Sequence, residues 1–145
     1  MSVLALIFGF LAAAAALLAQ VFLSTLVDVS FTNSPTLIVL IMAATLEEGA
    51  KFAFLVQLNR HVGNPLTFFH ALSFGLGFIA VELTLVLLSS ATSFELPSIG
   101  AMVGIHLLAT LVIFTGFRLQ ATYRLNPLAG LGMAILLHTL YNSTL

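Results

Sequence analysis

Residues 3–27 read VLALIFGFLAAAAALLAQVFLSTLV, an apolar stretch without a single charged side chain. About 20 predominantly apolar residues are enough for a helix to cross the hydrocarbon core of a bilayer. A secretory signal peptide has a shorter apolar region that follows positive charge, and no basic residue precedes this stretch. We therefore predict that residues 3–27 form a retained transmembrane helix.

The composition of the whole chain extends this interpretation. Hydrophobic residues make up 61% of the 145 residues, charged residues make up only 6%, and the mean hydropathy is +1.19. A soluble domain carries about a quarter charged residues, so this chain is expected to be an integral membrane protein surrounded by the lipid bilayer. Its 4 basic residues form no phosphate-binding patch, which argues against a nucleic-acid partner. The absence of cysteine excludes disulfides and thiolate chemistry.

Polar and proline-containing joints divide the chain into five apolar stretches. We predict an all-α fold, a polytopic transmembrane helix bundle that forms a single domain over residues 1–145. The predicted spans cover residues 3–27, 35–58, 66–90, 98–117 and 127–142. Arg60, Arg118 and Arg124 lie in or beside the second and fourth loops. Because basic loops stay on the inner side of a membrane, we expect the N-terminus inside.

Four of the predicted spans carry ionisable side chains away from their ends. The motifs are EEGAK at 47–51, FIAVE at 78–82, a lone His106, and HTLYN at 138–142. Such side chains are costly in lipid and usually face the bundle interior. At about 1.5 Å of rise per residue, all of them lie within one or two helical turns of the same depth. We therefore predict that one buried site contains five residues: Glu47, Glu48, Glu82, His106 and His138.

The spacing within the second span suggests different roles for its two glutamates. Lys51 is three residues from Glu48 and four from Glu47, so either carboxylate can meet the ammonium group. Adjacent helical residues point in different directions, so we expect Glu48 to form a structural ion pair with Lys51 while Glu47 faces the cavity. The reverse assignment stays open. In the third span, Gly75 and Gly77 would permit close packing against the second span.

These residue types can activate water. A carboxylate in an apolar setting is a usable general base, and imidazoles with the Asn142 amide can donate hydrogen bonds to an oxyanion. Alternatively, a divalent ion such as zinc, held by Glu82, His106 and His138, could supply the nucleophilic water. No Ser-based nucleophile motif is present. Both schemes hydrolyse an amide, and the sequence does not choose between them.

The order of these motifs resembles the PrsW family of intramembrane proteases. That family belongs to the superfamily of CAAX proteases and bacteriocin-processing enzymes (CPBP), which also includes the APH-1 subunit of γ-secretase. The typical CAAX-protease pattern is Glu-Glu-x-x-x-Arg followed by Phe-x-x-x-His. Here Phe52 stands at the Arg position, Lys51 comes one residue earlier, and Glu82 replaces the His. These departures point to the PrsW branch, and the resemblance covers a core of about residues 35–145.

The resemblance implies an intramembrane endopeptidase in a prokaryotic cell membrane. Its substrates would be membrane-anchored proteins of the anti-sigma-factor kind. The implied active-site set is Glu47, Glu48, Glu82, His106 and His138, with Asn142 as a supporting donor. Relatives commonly have more spans than five, so this chain is either a minimal core or a homo-oligomer.

Two other functions remain open at the sequence level. One is a non-catalytic membrane scaffold of the APH-1 kind, in which the same fold has become a subunit. The Glu pair argues against it, because one of its two carboxylates has no lysine partner and a scaffold need not keep a costly buried charge. The other is a proton or cation transporter that uses the buried Glu and His side chains as a relay. Transporters often show internal repeats, and none is visible here.

Overall fold

The computed structural model describes residues 2–27, 36–62, 65–89, 96–124 and 126–144. These residues form five α-helices, which confirms the all-α class. The helices are α1 (Val3–Val27), α2 (Leu37–Val62), α3 (Phe68–Ser89), α4 (Leu96–Tyr123) and α5 (Leu128–Asn142). The predicted loop at 28–34 and residues 91–95 of the predicted loop at 91–97 lie outside the described residues, whereas Leu96 and Pro97 belong to α4.

Within the described residues, three helices are long and apolar enough to cross a membrane, namely α1, α3 and α4. The prediction of five spans is therefore supported for these three. Helix α2 differs because Glu47, Glu48 and Lys51 interrupt its apolar sequence, and α5 differs because it has only 15 residues. Both helices are nonetheless part of the bundle, since α2 packs against α1 and α5, and α5 packs against α4.

Two helices extend beyond their predicted ends. Residues 59–62 continue α2 and residues 118–123 continue α4, although both segments had been predicted as loops. Polar residues are compatible with a helix, and neither segment contains a glycine or proline that would end one. Helix α4 ends where Arg124 adopts the left-handed conformation, with φ of 57°, while its N–H bonds to the Gln120 carbonyl at 2.9 Å.

The helices are arranged as a closed ring. Helix α1 packs against α2 and α3, α3 packs against α4, α4 packs against α5, and α5 returns to α2. Helix α2 also touches α4 across the ring. This arrangement directs one face of every helix toward a shared interior and leaves large apolar side chains such as Ile7, Phe22 and Leu88 exposed on the outside, as a lipid environment requires.

Glycines bring α1 and α3 close together. A Cβ atom at Gly9 would collide with the Phe74 carbonyl, and a Cβ atom at Gly77 would collide with the Leu6 carbonyl. Gly75 instead faces Leu107 of α4. The prediction that Gly75 and Gly77 pack against the second span is therefore wrong. A small residue indicates that another backbone comes close, but it does not identify the helix to which that backbone belongs.

The α1–α3 contact can be tested with Gly77→Ala. We expect this substitution to lower the free energy of unfolding by about 1–3 kcal/mol, because the added methyl group must push the two backbones apart. Gly132→Ala is the matched control, since nothing lies within 4 Å of a Cβ atom at that position. The control should unfold at the parent temperature or above it, because alanine favours helix. Equal melting temperatures in detergent for both variants would contradict this close contact.

Candidate functional site

A buried polar network occupies the interior of the ring. On α2, Glu48 and Lys51 belong to a buried stripe with Ala44, Leu55 and Leu58. The spacing of this stripe is that of one helix face. This face meets His106 of α4 and His138 of α5, while Glu47 beside the stripe meets Gln20 of α1. The network comprises Gln20 of α1, Glu47, Glu48 and Lys51 of α2, His106 of α4, and His138 of α5.

Glu48 lies at the centre of this network and is fully buried. Its Oε1 accepts a hydrogen bond from Lys51 Nζ at 2.6 Å and contacts His138 Nδ1 at 2.7 Å. A carboxylate only accepts hydrogen bonds, so the proton lies on His138 Nδ1. The second oxygen, Oε2, has no hydrogen-bond partner within the described part of the chain. The structure thus places Glu48 against Lys51, which is the expected one of the two pairings that the spacing allowed.

The Lys51 ammonium group is enclosed by three partners. Besides Glu48, it contacts His106 Nδ1 at 3.1 Å, and it lies 4.3 Å from the centre of the Phe78 ring. An ammonium group has no acceptor, so His106 Nδ1 accepts, and the proton of the neutral imidazole is on Nε2. The ring face of Phe78 adds a favourable cation–π contact. The lysine therefore both neutralises Glu48 and sets the tautomer of His106.

Glu47 is held differently from Glu48. Its Oε1 accepts a hydrogen bond from Gln20 Nε2 at 2.7 Å, and its Oε2 lies 3.4 Å from His138 Nε2. Its side chain is 13% exposed, whereas those of Glu48 and Lys51 are 0% exposed. Glu47 has no lysine partner among the described residues. It is accordingly the carboxylate of the pair that incoming molecules can reach.

Two residues of the predicted set lie apart from this network. Glu82 is half-buried on α3, and it interacts electrostatically with Glu47, Lys51 and His138. It forms no hydrogen bond to them in the described structure. Asn142 is the last residue of α5, one turn beyond His138, and it is half-buried. The network thus contains four of the six predicted site residues.

Sequence reasoning did not assign roles to two residues that the structure brings to the site. Gln20 comes from α1, which lies outside the segment that resembles the PrsW family. The available signal was that Gln20 is the single polar side chain in residues 3–23. Phe78 belongs to a quoted motif, but its spacing from Glu82 gave no indication of a contact with Lys51. That contact depends on how α2 and α3 are placed around the interior.

The donor set was compared with the needs of a divalent metal ion. Among the described residues, Glu47, Glu48, His106 and His138 each offer one ligand atom, and these atoms lie within 4.8 Å of one another. The 3.4 Å between His138 Nε2 and Glu47 Oε2 is close to the separation of about 3.3 Å between two ligands of a tetrahedral zinc ion. The unpartnered Glu48 Oε2 is a further available ligand.

This cluster differs from the ligand set that we predicted. Glu82, which was expected to bind metal with His106 and His138, is not a member, and the two adjacent glutamates take its place. Lys51 already contacts Glu48 and His106, so a metal ion would have to displace its ammonium group from both. The four side chains of the cluster fit a divalent ion by ligand type and spacing. The Lys51 ammonium group would compete with that ion for Glu48 and His106.

The chain was compared with protein-family models, with curated proteins and with solved structures, and none of them matches. The resemblance to the PrsW family consequently depends on the four motifs alone.

Proposed function

We propose that the protein is an intramembrane endopeptidase of the PrsW type that cleaves membrane-anchored protein substrates with water activated by Glu47. One observation carries this proposal. Of the two adjacent glutamates, Glu48 is neutralised by Lys51, whereas Glu47 is partly exposed and lies beside an imidazole. A carboxylate without a cationic partner in an apolar interior is suited to accept a proton from water. The resemblance adds that anti-sigma-factor-like proteins are the substrate class.

The first chemical step assigned to Glu47 is proton abstraction. As the water oxygen forms a bond to the carbonyl carbon of the scissile peptide, Glu47 takes one proton from that water. The carbonyl π electrons move onto the oxygen, which becomes an oxyanion. His106 carries its proton on Nε2 because Nδ1 accepts from Lys51, so it is a hydrogen-bond donor of the kind that stabilises an oxyanion.

The second step returns the proton. The oxyanion electrons re-form the carbonyl, the C–N bond breaks, and protonated Glu47 delivers its proton to the leaving amine. His138 supports the second step, because its Nδ1–H is held by Glu48 and its Nε2 lies 3.4 Å from Glu47 Oε2, where it can accept a hydrogen bond from Glu47 once that carboxyl group holds the proton. A divalent ion such as zinc could be held by Glu48, His106 and His138, which would leave Glu47 free to act as the base, and such an ion would add polarisation of the carbonyl when bound.

The proposal is tested with purified protein in liposomes that contain a membrane-anchored reporter. In water enriched in oxygen-18, each cleavage should place one heavy oxygen atom in the new carboxylate, since water is the nucleophile. A folded protein that cleaves no anchored reporter across a panel of apolar sequences would refute the protease assignment.

The same assay addresses metal. We expect cleavage to persist after treatment with a strong chelator, because Lys51 already supplies a cation to Glu48 and His106. Elemental analysis of the purified protein is the accompanying measurement. Loss of cleavage with the chelator, followed by recovery with added zinc at about one ion per chain, would instead assign the metal to catalysis.

A second candidate function is proton or cation transport. The observation that favours it is the continuous chain of polar contacts from Gln20 through Glu47, His138, Glu48 and Lys51 to His106, which resembles a proton relay. Transport would appear as acidification of liposomes under an imposed potential, without any reporter cleavage. A scaffold of the APH-1 kind would show neither cleavage nor transport.

A further inference from the structure

We propose that a cavity between α1 and α2 is the subsite that binds the substrate beside Glu47. In this subsite an apolar side chain of an unwound transmembrane segment fills the cavity, and the Gln20 amide pairs with that segment's backbone. This inference rests on the proposed protease function and deepens it, because it identifies a recognition element. It also assigns a role to α1, which the family resemblance does not cover.

The cavity has a volume of about 220 Å³ and lies where the second half of α1 faces the first half of α2. Its walls are mostly apolar and include Leu23, Val39, Met42 and Leu46. Gln20 and Glu47 line it as well, and their hydrogen bond of 2.7 Å lies at its polar end. The cavity is therefore continuous with the proposed general base.

The size of the cavity limits what can occupy it. An apolar cavity of about 150 Å³ is large enough for benzene, so this cavity can hold one leucine, isoleucine or phenylalanine side chain. It cannot hold a helix, whose diameter with side chains is about 10–12 Å. A transmembrane substrate must therefore present an unwound stretch here, which is also the form in which a peptide bond becomes accessible to water.

The Gln20 amide matches the needs of such a stretch. An unwound peptide at membrane depth exposes N–H and C=O groups that are costly unless they are hydrogen-bonded. One N–H of Gln20 is used by Glu47. The other N–H and the carbonyl oxygen of the amide take part in no hydrogen bond within the described residues. One donor and one acceptor together complement a peptide group, and they lie directly beside Glu47.

Cavity filling provides the first test. Ala43 lines the cavity, so Ala43→Leu should occupy the space intended for the substrate side chain. Ala53→Leu is the matched control, because Ala53 lies on the same helix but is exposed. Two reporters would be compared, one with leucine and one with alanine at the residues that flank the cleaved bond. The parent should prefer leucine about 10-fold or more in kcat/KM, a typical effect of added methylene groups in an apolar pocket.

Ala43→Leu should reduce this preference to about 2-fold or reverse it, mainly through KM for the leucine reporter, whereas Ala53→Leu should keep the parent preference. If Ala43→Leu cleaves both reporters with the parent ratio, the subsite is refuted while proteolysis stands. If the parent protein cleaves neither reporter, the proposed function itself fails. The two failures are thus distinguishable.

Photochemical crosslinking provides a test that does not depend on turnover. The photoreactive residue p-benzoyl-phenylalanine would be placed at Leu23, which lines the cavity, or at Leu136, which is exposed on α5. Both proteins would carry Glu47→Gln so that the reporter is retained. We expect at least 5-fold more crosslinked reporter from position 23 than from position 136. Equal yields of crosslinked reporter from the two positions would mean that the reporter contacts the protein at random in the membrane, and this result would overturn the proposed subsite.

Discussion

Glu47→Gln should reduce reporter cleavage by about 10²–10⁴-fold, the usual contribution of a general base, and the protein should remain folded. Glutamine keeps an oxygen that can accept from Gln20 Nε2, and its new N–H₂ group can donate to His138 Nε2, which now faces Glu47 at 3.4 Å. Each neighbouring hydrogen-bonding group thus keeps a suitable partner. The measurements are the initial rate of cleavage in liposomes and the melting temperature in detergent.

Glu82→Gln is the informative comparison for this variant. It makes the same chemical change on α3, at a carboxylate that the family resemblance places in the active site but that lies outside the cluster of four possible ligands. We expect a smaller loss of activity than for Glu47→Gln, because Glu82 forms no hydrogen bond to the described network. A Glu47→Gln protein that cleaves at the parent rate would exclude Glu47 as the base.

Glu48→Gln should damage stability as well as activity. The substitution leaves the Lys51 ammonium group, which is fully buried, without its carboxylate at 2.6 Å. Breaking one side of a buried ion pair costs about 3–5 kcal/mol, because an uncompensated charge remains inside. We therefore expect a clearly lower melting temperature in detergent. We also expect loss of cleavage, because Lys51, which contacts His106, loses its carboxylate partner and His138 Nδ1 faces a neutral amide in place of a carboxylate.

A double variant separates this effect from simple loss of packing. Glu48→Gln combined with Lys51→Met removes both charges, and replacing a whole buried pair by uncharged groups is often neutral for stability. The double variant should thus melt at a higher temperature than Glu48→Gln alone. If the double variant is no more stable than the single one, the ion pair is not the cause. If Glu48→Gln is folded but inactive and Glu47→Gln is unstable, the two glutamates exchange roles.

The two glutamine variants also test the function as a whole. A protease of the proposed type requires that at least one of them abolish cleavage. If both cleave at the parent rate, the protease assignment fails, and the transporter and scaffold alternatives become the leading explanations for the buried network. The transport assay in liposomes then decides between those two.

Local features of the chain could be predicted from the sequence because they depend on composition and short spacings. The apolar run at 3–27 was predicted with the bounds that α1 has in the structure, since nothing in it interrupts a helix. The spacing limited the partner of Lys51 to Glu47 or Glu48, and the structure contains the contact with Glu48. The ends of α2 and α4 were placed too early, because polar residues mark the membrane boundary without ending a helix.

The partners of these local features required the tertiary structure. Gly77 indicates a close contact, but only the ring order of the helices determines that the contact is with Leu6 of α1. In the same way, the sequence shows that Gln20 is a lone polar residue in an apolar helix but does not identify its partner. In the structure α1 lies beside α2, and the Gln20 amide donates a hydrogen bond to Glu47. The sequence by itself determined the helices and the residue types that cannot face lipid. Which of those side chains meet was decided by the packing of distant helices, because such contacts depend on rotation and neighbour choice rather than on spacing along one chain.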